Sequence, residues 1–263
     1  GHPISPPIMP GWEGYPVRER FADQHNVPVW VDNDVNIMAL GEWRSGLANG
    51  HDDFMFVKVG TGIGCGFVSN GRIHRGAQGS AGDIGHVQVA SEERQICRCG
   101  KIDCLESHAG GAALAREGTR LAENGESERL ATVLRERGSI TAREVIRAAR
   151  VGDPASARLL DQSARLVGQT LASLANFFNP SLIVVGGGVA RAGDAYLATI
   201  RQVIYARSTA LATRELLVQL SRLGNRAGVI GGASMVLDEL FSAHQLAAWI
   251  DEGRPAALLE TAA

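Results

Sequence analysis

The chain has 263 residues, 45% of them hydrophobic, with 26 Lys and Arg against 28 Asp and Glu for a net charge of −2. That is enough apolar material for a sizeable core in one large or two smaller lobes, and too little positive charge to leave the footprint of a nucleic-acid surface. No apolar run reaches membrane length and no secretory leader is visible, so a cytoplasmic protein with reduced thiols and no membrane partner is expected.

Residues 1–16 are rich in proline and glycine and lack a helical period, so they read as an extended lead-in to a helix from Val17 to His25. Val27 to Val31 is a short apolar run expected to form a buried strand. Asp32, Asn33 and Asp34 follow at its carboxyl end, where a helix from Val35 to Arg44 begins. Polar residues at such a strand end are placed for ligand contact. Asn33 or Asp34 can equally be the helix cap.

Between Val57 and Phe67, Gly60, Gly62, Gly64 and Gly66 recur at a spacing of two among Val57, Val59, Ile63 and Phe67, which predicts extended chain. Asn70-Gly71 supplies a two-residue type I′ hairpin turn, and the chain returns through Arg72, Ile73 and His74. A dinucleotide fingerprint needs its glycines to open a helix, and these lead into another strand. Two readings remain. In one, the backbone of Gly60, Thr61, Gly62 and Gly64 approaches a phosphate. In the other, a glycine-rich strand simply crosses close to another backbone.

His86, Cys97, Cys99 and Cys104 bring one imidazole and three thiols into a short stretch. Such a set closes a tetrahedron around structural zinc, and the compact C-x-C-G-x-x-x-C loop can wrap one ion; a disulfide is the weaker competitor. Structural zinc carries apparent binding free energies of about 10–16 kcal/mol, so its loss should unfold the loop.

Ser107 to about Glu136 reads as helix interrupted at Gly110-Gly111 and Asn124-Gly125, and Thr141 with Glu144 fits a capping box opening a helix to Arg150. Asp153-Pro154 starts a longer amphipathic helix that Asn179-Pro180 ends, and core packing accounts for it. Ser181 to Val185 is a buried strand leading into Gly186-Gly187-Gly188 and then a helix from about Asp194 to Ser208. Gly187 and Gly188 can hold a nucleotide there, or only make a tight turn. Leu216 to Leu220 is a further strand, Gly228 opens the last clear helix, and residues 256–263 are expected to fray.

The run G-T-G-I-G-C-G-F-V, then R-G-A-x-G-x-A-G-D-I-G-H, then C-x-C-G-x-x-x-C-L-E resembles the ROK family of bacterial sugar kinases and sugar-responsive transcriptional repressors. The likeness extends from Pro6 to about Leu240. It implies an α/β, actin-like or hexokinase-like (ribonuclease H-like) fold of two lobes with the first half of the small lobe missing. Residues 1–52 would be the remainder of that lobe, 53–235 the large lobe with its zinc loop, and 236–263 a C-terminal helix returning to the small lobe. The phosphate-binding strand that precedes this region in the family lies outside the sequence, which is expected to be a fragment. By the same resemblance Asp34 aligns with a catalytic base and Asn33 with a sugar contact, and Asn33, Asp34, Asp83, His86 and Glu106 would converge on one sugar. His86 would ligate zinc through one ring nitrogen and offer the other to a hydroxyl. The Gly228 region would lie on the adenosine side, and a homodimer is implied.

Family kinases carry glutamate where this chain has Asp83 and often alanine where it has Val35. The favoured expectation is therefore the non-enzymatic, sugar-binding effector portion of a transcriptional regulator, which would reach DNA only through a winged helix-turn-helix outside this chain. The alternative is a glucokinase-like sugar kinase using ATP and Mg²⁺ with Asp34 as base. A zinc-stapled scaffold with an empty cleft is the third reading.

Overall fold

Alternating apolar runs separated by turn residues give five strands, Phe54–Val59 (β1), Ile63–Ser69 (β2), Arg72–His74 (β3), Leu182–Gly186 (β4) and Leu217–Leu220 (β5). In the computed structural model, which describes residues 2–4, 9–90 and 94–252, they form one sheet in the order β3-β2-β1-β4-β5. The first three make an antiparallel meander, and β4 and β5 continue it in parallel with β1. This is the sheet of the ribonuclease H-like, actin-like fold expected from the sequence. Asn70 and Gly71 both adopt positive φ, 50° and 66°, as the type I′ turn between β2 and β3 demands.

The helices are Val17–His25 (α1), Asp34–Ser45 (α2), Leu105–Ala109 (α3), Gly111–Glu123 (α4), Glu128–Arg137 (α5), Ala142–Arg150 (α6), Pro154–Phe178 (α7), Asp194–Arg207 (α8), Ala210–Thr213 (α9), Arg226–Leu240 (α10) and Ala243–Glu252 (α11). Strand parity divides them between two faces. Met55, Val57 and Val59 of β1 join a large core with Leu105, Leu114, Val145, Leu171 and Ile200, which belong to α3, α4, α6, α7 and α8. Phe54 and Phe56 point the other way, into a smaller core with Val35, Ala39, Leu182 and Val184. Helix α2 therefore packs on the same sheet as β1, and this core crosses the lobe boundary expected at residue 52. None of the helices in the described residues is long and apolar enough to cross a membrane.

Local chemistry sets the helix ends. The Asp153 carboxylate accepts from the Ser156 N–H at 2.9 Å to start α7, and Asn179 at φ 52° ends it. Thr141 and Glu144 form the anticipated capping box at α6. Two expectations are altered. Val27 to Val31 is irregular chain rather than a strand, and Val27 and Val31 are 46% and 38% exposed. Among the described residues no strand lies beside this run, and an apolar segment with no neighbour to take its backbone hydrogen bonds does not become sheet. The last helical stretch is also two helices, α10 and α11, while residues 256–263 lie outside the described residues.

Helices α2 and α10 meet backbone to backbone. A β-carbon on Gly231 would overlap the Ile37 carbonyl, and one on Gly41 would overlap that of Ala227. The next residue, Gly232, has nothing within 4 Å of the same position. Gly231→Ala should therefore destabilise the protein by about 2–3 kcal/mol through overpacking, whereas Gly232→Ala should be neutral or stabilising by up to about 1 kcal/mol. Urea unfolding of the two variants checks this contrast.

Asp153 gives a pH-dependent counterpart. Burial opposes its ionisation, but the Ser156 side chain and N–H, the Ser127 hydroxyl and the Arg129 charge outweigh it, so its carboxyl lies below the ordinary carboxylate value. A depressed folded pKa means that the stabilisation is full above the unfolded pKa and is lost as pH falls through the folded one. Asp153→Ala should cost about 1 kcal/mol at neutral pH, and the gap from wild type should close on acidification in parallel denaturation series.

Candidate functional site

Helix α2 starts where its cap allows. The Asn33 Oδ1 accepts from the N–H groups of Val35 at 2.9 Å and Asn36 at 3.3 Å, so Asn33 is the N-cap. Asp34 is the first helical residue, with an acid in the favourable field of the helix's amino end. Its carboxylate forms an ion pair with the Lys58 ammonium. Lys58 stands on β1 with the parity of Phe54 and Phe56, which turns it toward α2. The preceding residue is fixed as well. Arg75 donates to the Asp32 Oδ2 through Nε at 3.0 Å and Nη2 at 2.6 Å. The other Asp32 oxygen accepts from the Asn33 N–H at 2.7 Å and the Asn36 Nδ2 at 3.2 Å. Sequence reasoning gave Lys58 and Arg75 no role. The one legible trace was a lysine in the otherwise apolar run F-M-F-V-K-V, just before the glycines.

The glycines divide by task. An added β-carbon on Gly64 would come within 2.9 Å of the Val35 Cγ2, and one on Gly66 within 2.7 Å of the Ala39 Cβ. These two make room for α2, which is the close-crossing alternative of the sequence reading. Gly60, Thr61 and Gly62 form the turn after β1. The Gly60 N–H donates to the Gly62 carbonyl at 2.9 Å, and the carbonyls of Gly60 and Thr61 accept from Gly111 at 2.6 Å and Ala112 at 3.1 Å, which satisfies the start of α4. Gly187, at φ 94°, follows β4 directly against the Val59 backbone, and Gly188 comes next with nothing within 4 Å of its β-carbon position. The two glycine turns thus lie at the carboxyl ends of the adjacent parallel strands β1 and β4. The chain leaves those ends in different directions, toward β2 and toward α8, which is the switch-point crevice where open α/β sheets place ligands.

The candidate metal ligands come together in one cluster. The ligand atoms of His86, Cys97, Cys99 and Cys104 all lie within 4.8 Å of one another. The Cys97 Sγ is 3.5 Å from the His86 Nδ1, and the Cys99 and Cys104 sulfurs are 3.6 Å apart. A tetrahedron with bonds of about 2.3 Å to sulfur and about 2.1 Å to nitrogen has edges of roughly 3.6–3.8 Å, so the donor set fits one zinc-sized ion. None of the four cysteines forms a disulfide. Burial pushes the Cys104 thiol up to about 12 and the Cys97 thiol upward. For Cys99, burial is outweighed by the Lys101 N–H and the neighbouring thiols, and its pKa is lowered. Cys65, by contrast, is wholly buried and lies outside the cluster. Backbone bonds hold the loop flat: Cys97 N–H to Lys101 at 2.8 Å, Val89 N–H to Asp103 at 2.8 Å and Leu105 N–H to Val87 at 2.9 Å. The Asp103 carboxylate braces it by accepting from the Gln95 N–H at 2.8 Å and facing the His108 Nε2 at 3.0 Å.

The remaining proposed sugar contacts cluster around this loop. The Asp83 carboxylate lies 3.8 Å from the His86 Nε2, on the far side of the ring from the thiols. The Glu106 Oε1 is 3.7 Å from the Cys97 Sγ, and its other oxygen accepts from the Ile63 N–H at 3.4 Å. A cleft of about 230 Å³ is lined in part by Thr61, Gly62, Cys97 and Glu106, so the glycine turn and the metal loop share one concavity. Among the described residues no hydrogen bond joins Asn33 or Asp34 to Asp83, His86 or Glu106. The acids and amide therefore form two groups, one on α2 and one on the metal loop.

A family model described as "ROK family" matches residues 4–239. The chain is 38% identical over 226 residues to a glucokinase of Halalkalibacterium halodurans, covering 86% of this chain and 68% of that protein. It is 32% identical over 231 residues to the xylose repressor of Caldicellulosiruptor bescii, covering 88% of this chain and 57% of the repressor. The fold superposes with a TM-score of 0.76 on the crystal structure of a ROK family glucokinase from Streptomyces griseus in complex with glucose and AMPPNP, at 33% identity over 85% of this chain and 73% of that one. The chain thus spans a little over half the length of the repressor it matches and about two thirds of the glucokinase.

The four-ligand geometry predicts one tightly held metal ion per chain. Elemental analysis of the purified protein should find it, and Cys99→Ala should abolish it. Stripping the ion with a chelator should lower the melting temperature and expose the loop from His86 to Cys104 to proteolysis. A metal-free preparation with unaltered melting would overturn the assignment.

Proposed function

From the premise that this chain belongs to the ROK family, we propose that it is the sugar-binding part of an ATP-dependent sugar kinase, with the sugar lying between α2 and the metal loop. The retained Asp34 at the start of α2, above the carboxyl end of β1, carries this reading. An acid there is positioned to take the proton of an attacking hydroxyl. The Halalkalibacterium and Streptomyces relatives support phosphoryl transfer ahead of the regulator expected from sequence alone.

In this reading the sugar oxygen forms a bond to the γ-phosphorus while the bond from that phosphorus to the bridging oxygen breaks. ADP leaves with the electron pair, and the hydroxyl proton passes to the Asp34 carboxylate. Asn33, whose Oδ1 is committed to the cap, keeps its Nδ2 for a sugar oxygen. Asp83 and Glu106 accept from hydroxyls, and the His86 Nε2 faces the sugar while its Nδ1 faces the thiols. His86, Cys97, Cys99 and Cys104 would hold a zinc ion, which would fix the imidazole and shape the loop. Mg²⁺ would screen the phosphate charge when ATP is bound. Gly62, Thr61, Gly187 and Gly188 would line the phosphate path.

A second reading has its own support. Lys58 occupies the carboxylate of Asp34, and Asp83 is one methylene shorter than the glutamate usual in family kinases. Both would leave sugar binding intact while weakening catalysis, as suits the effector portion of a sugar-responsive regulator. The xylose repressor relative supports that branch. There the sugar would shift the arrangement of a homodimer and so the spacing of DNA-reading heads outside this chain.

Coupled ADP-release assays on the full-length protein over a panel of hexoses, with calorimetric sugar titrations alongside, separate the readings. The kinase reading expects turnover with at least one sugar. Asp34→Asn should then lower kcat about a thousandfold or more while changing the sugar Kd by less than about fivefold. Sugar binding without turnover would transfer the assignment to the regulator.

A further inference from the structure

Lys58 is unusual for a central strand residue. Its partners across the sheet are Gly64 on β2 and Gly186 on β4, so its stem is flanked by a glycine on each side. Its Cε lies 3.4 Å from where a β-carbon of Gly60 would stand, placing the chain alongside the first glycine turn. Gly186 leads directly into Gly187 and Gly188, the second turn. The ammonium itself sits on Asp34. One cation therefore stands at the junction of the candidate base, both glycine turns and the switch-point crevice between β1 and β4.

An exposed lysine–carboxylate pair contributes little stability, because solvent screens it and both side chains must be held. The Lys58 side chain is 32% exposed and that of Asp34 66%, so packing gives little reason for a charge here. A lysine is a compact cation on a flexible stem, suited to exchanging one anionic partner for another nearby.

We infer that Lys58 is an anion-binding residue of the crevice: its ammonium neutralises Asp34 when the crevice is empty and moves to a phosphate group when one enters along the glycine turns. The inference deepens the proposed function and rests on the reading that Asp34 faces the ligand. In the kinase reading the exchange frees the Asp34 carboxylate to accept the sugar proton at the moment the phosphoryl group arrives. Lys58 then stabilises the charge on the transferring oxygens.

Titration of the chain with inorganic tripolyphosphate tests the exchange directly. Lys58→Met should weaken binding at least tenfold, and Lys58→Arg should restore it to within about threefold of wild type. Asp34→Asn should strengthen binding severalfold when Lys58 is present, and by less than twofold in the Lys58→Met background. If Lys58→Met binds the anion as tightly as wild type while its melting temperature falls, the lysine is only a structural partner of Asp34 and the inference fails. Absence of tripolyphosphate binding to wild type overturns it too. Parallel titration with glucose and other hexoses keeps the two ideas apart: an anion response of the predicted pattern without any sugar binding would sink the sugar reading and leave Lys58 assigned.

Discussion

The contact that organises this molecule is the seat of helix α2 on strand β2. Gly64 and Gly66 carry no side chain, so Val35 and Ala39 drop against the strand backbone. Because the seat is backbone-tight, the rotation and height of α2 are fixed, and with them the position of Asp34 at its first turn. The helix is held equally closely on its far side, where Gly41 and Gly231 bring α10 into backbone contact. A helix fixed between a sheet and another helix by four glycines has little freedom to slide. Its amino end accordingly stays over the carboxyl end of β1.

The metal loop is tied to the same strand from its other side. The Cys65 N–H donates to the Gly82 carbonyl at 2.8 Å, and the Glu106 carboxylate takes the Ile63 N–H. Strand β2 thus serves as a common ruler. The α2 face sets Asn33 and Asp34, and the loop hung from its start sets Asp83, His86 and Glu106. An ion closing the Cys3His set would stiffen the loop without touching the ligand, which is the usual relation between a structural zinc and the residues it orients. Arg75, reaching back to Asp32, adds a polar tie between the segment that leads to Asp83 and the segment that starts α2.

Charge arrangement around Asp34 bears on what the family scaffold does here. A carboxylate that must accept a proton works best without a cation bound to it, whereas one that only anchors a hydroxyl tolerates such a partner. A lysine that can swing to a phosphate reconciles the two demands, since the cation leaves the base as the negative phosphoryl group arrives. The same residue on a scaffold that binds sugar without turnover would simply neutralise an otherwise exposed acid.

Much of this was legible in the residues. The type I′ turn at Asn70-Gly71, the capping box at Thr141 and the α7 limits at Asp153 and Asn179 depend on neighbours a few positions away. The Cys3His set is almost as local, because its ligands lie within one short loop. The fold followed from periodicity and motif resemblance together. The segments the residues left open or misplaced were those whose outcome depends on distant chain. Val27 to Val31 has the composition of a strand and, among the described residues, no strand beside it. Gly64 reads equally as a phosphate glycine or a close-crossing one until α2 is seen lying on it. Lys58 and Asp34 are 24 residues apart, and Arg75 is 43 from Asp32. The sequence by itself therefore determined turns, caps, helix periods and the clustering of one histidine with three cysteines, whose partners are near in the chain. Only the tertiary structure decided which glycines seat a helix and which cation meets the candidate base, because strand parity and packing bring those groups together irrespective of their separation in sequence.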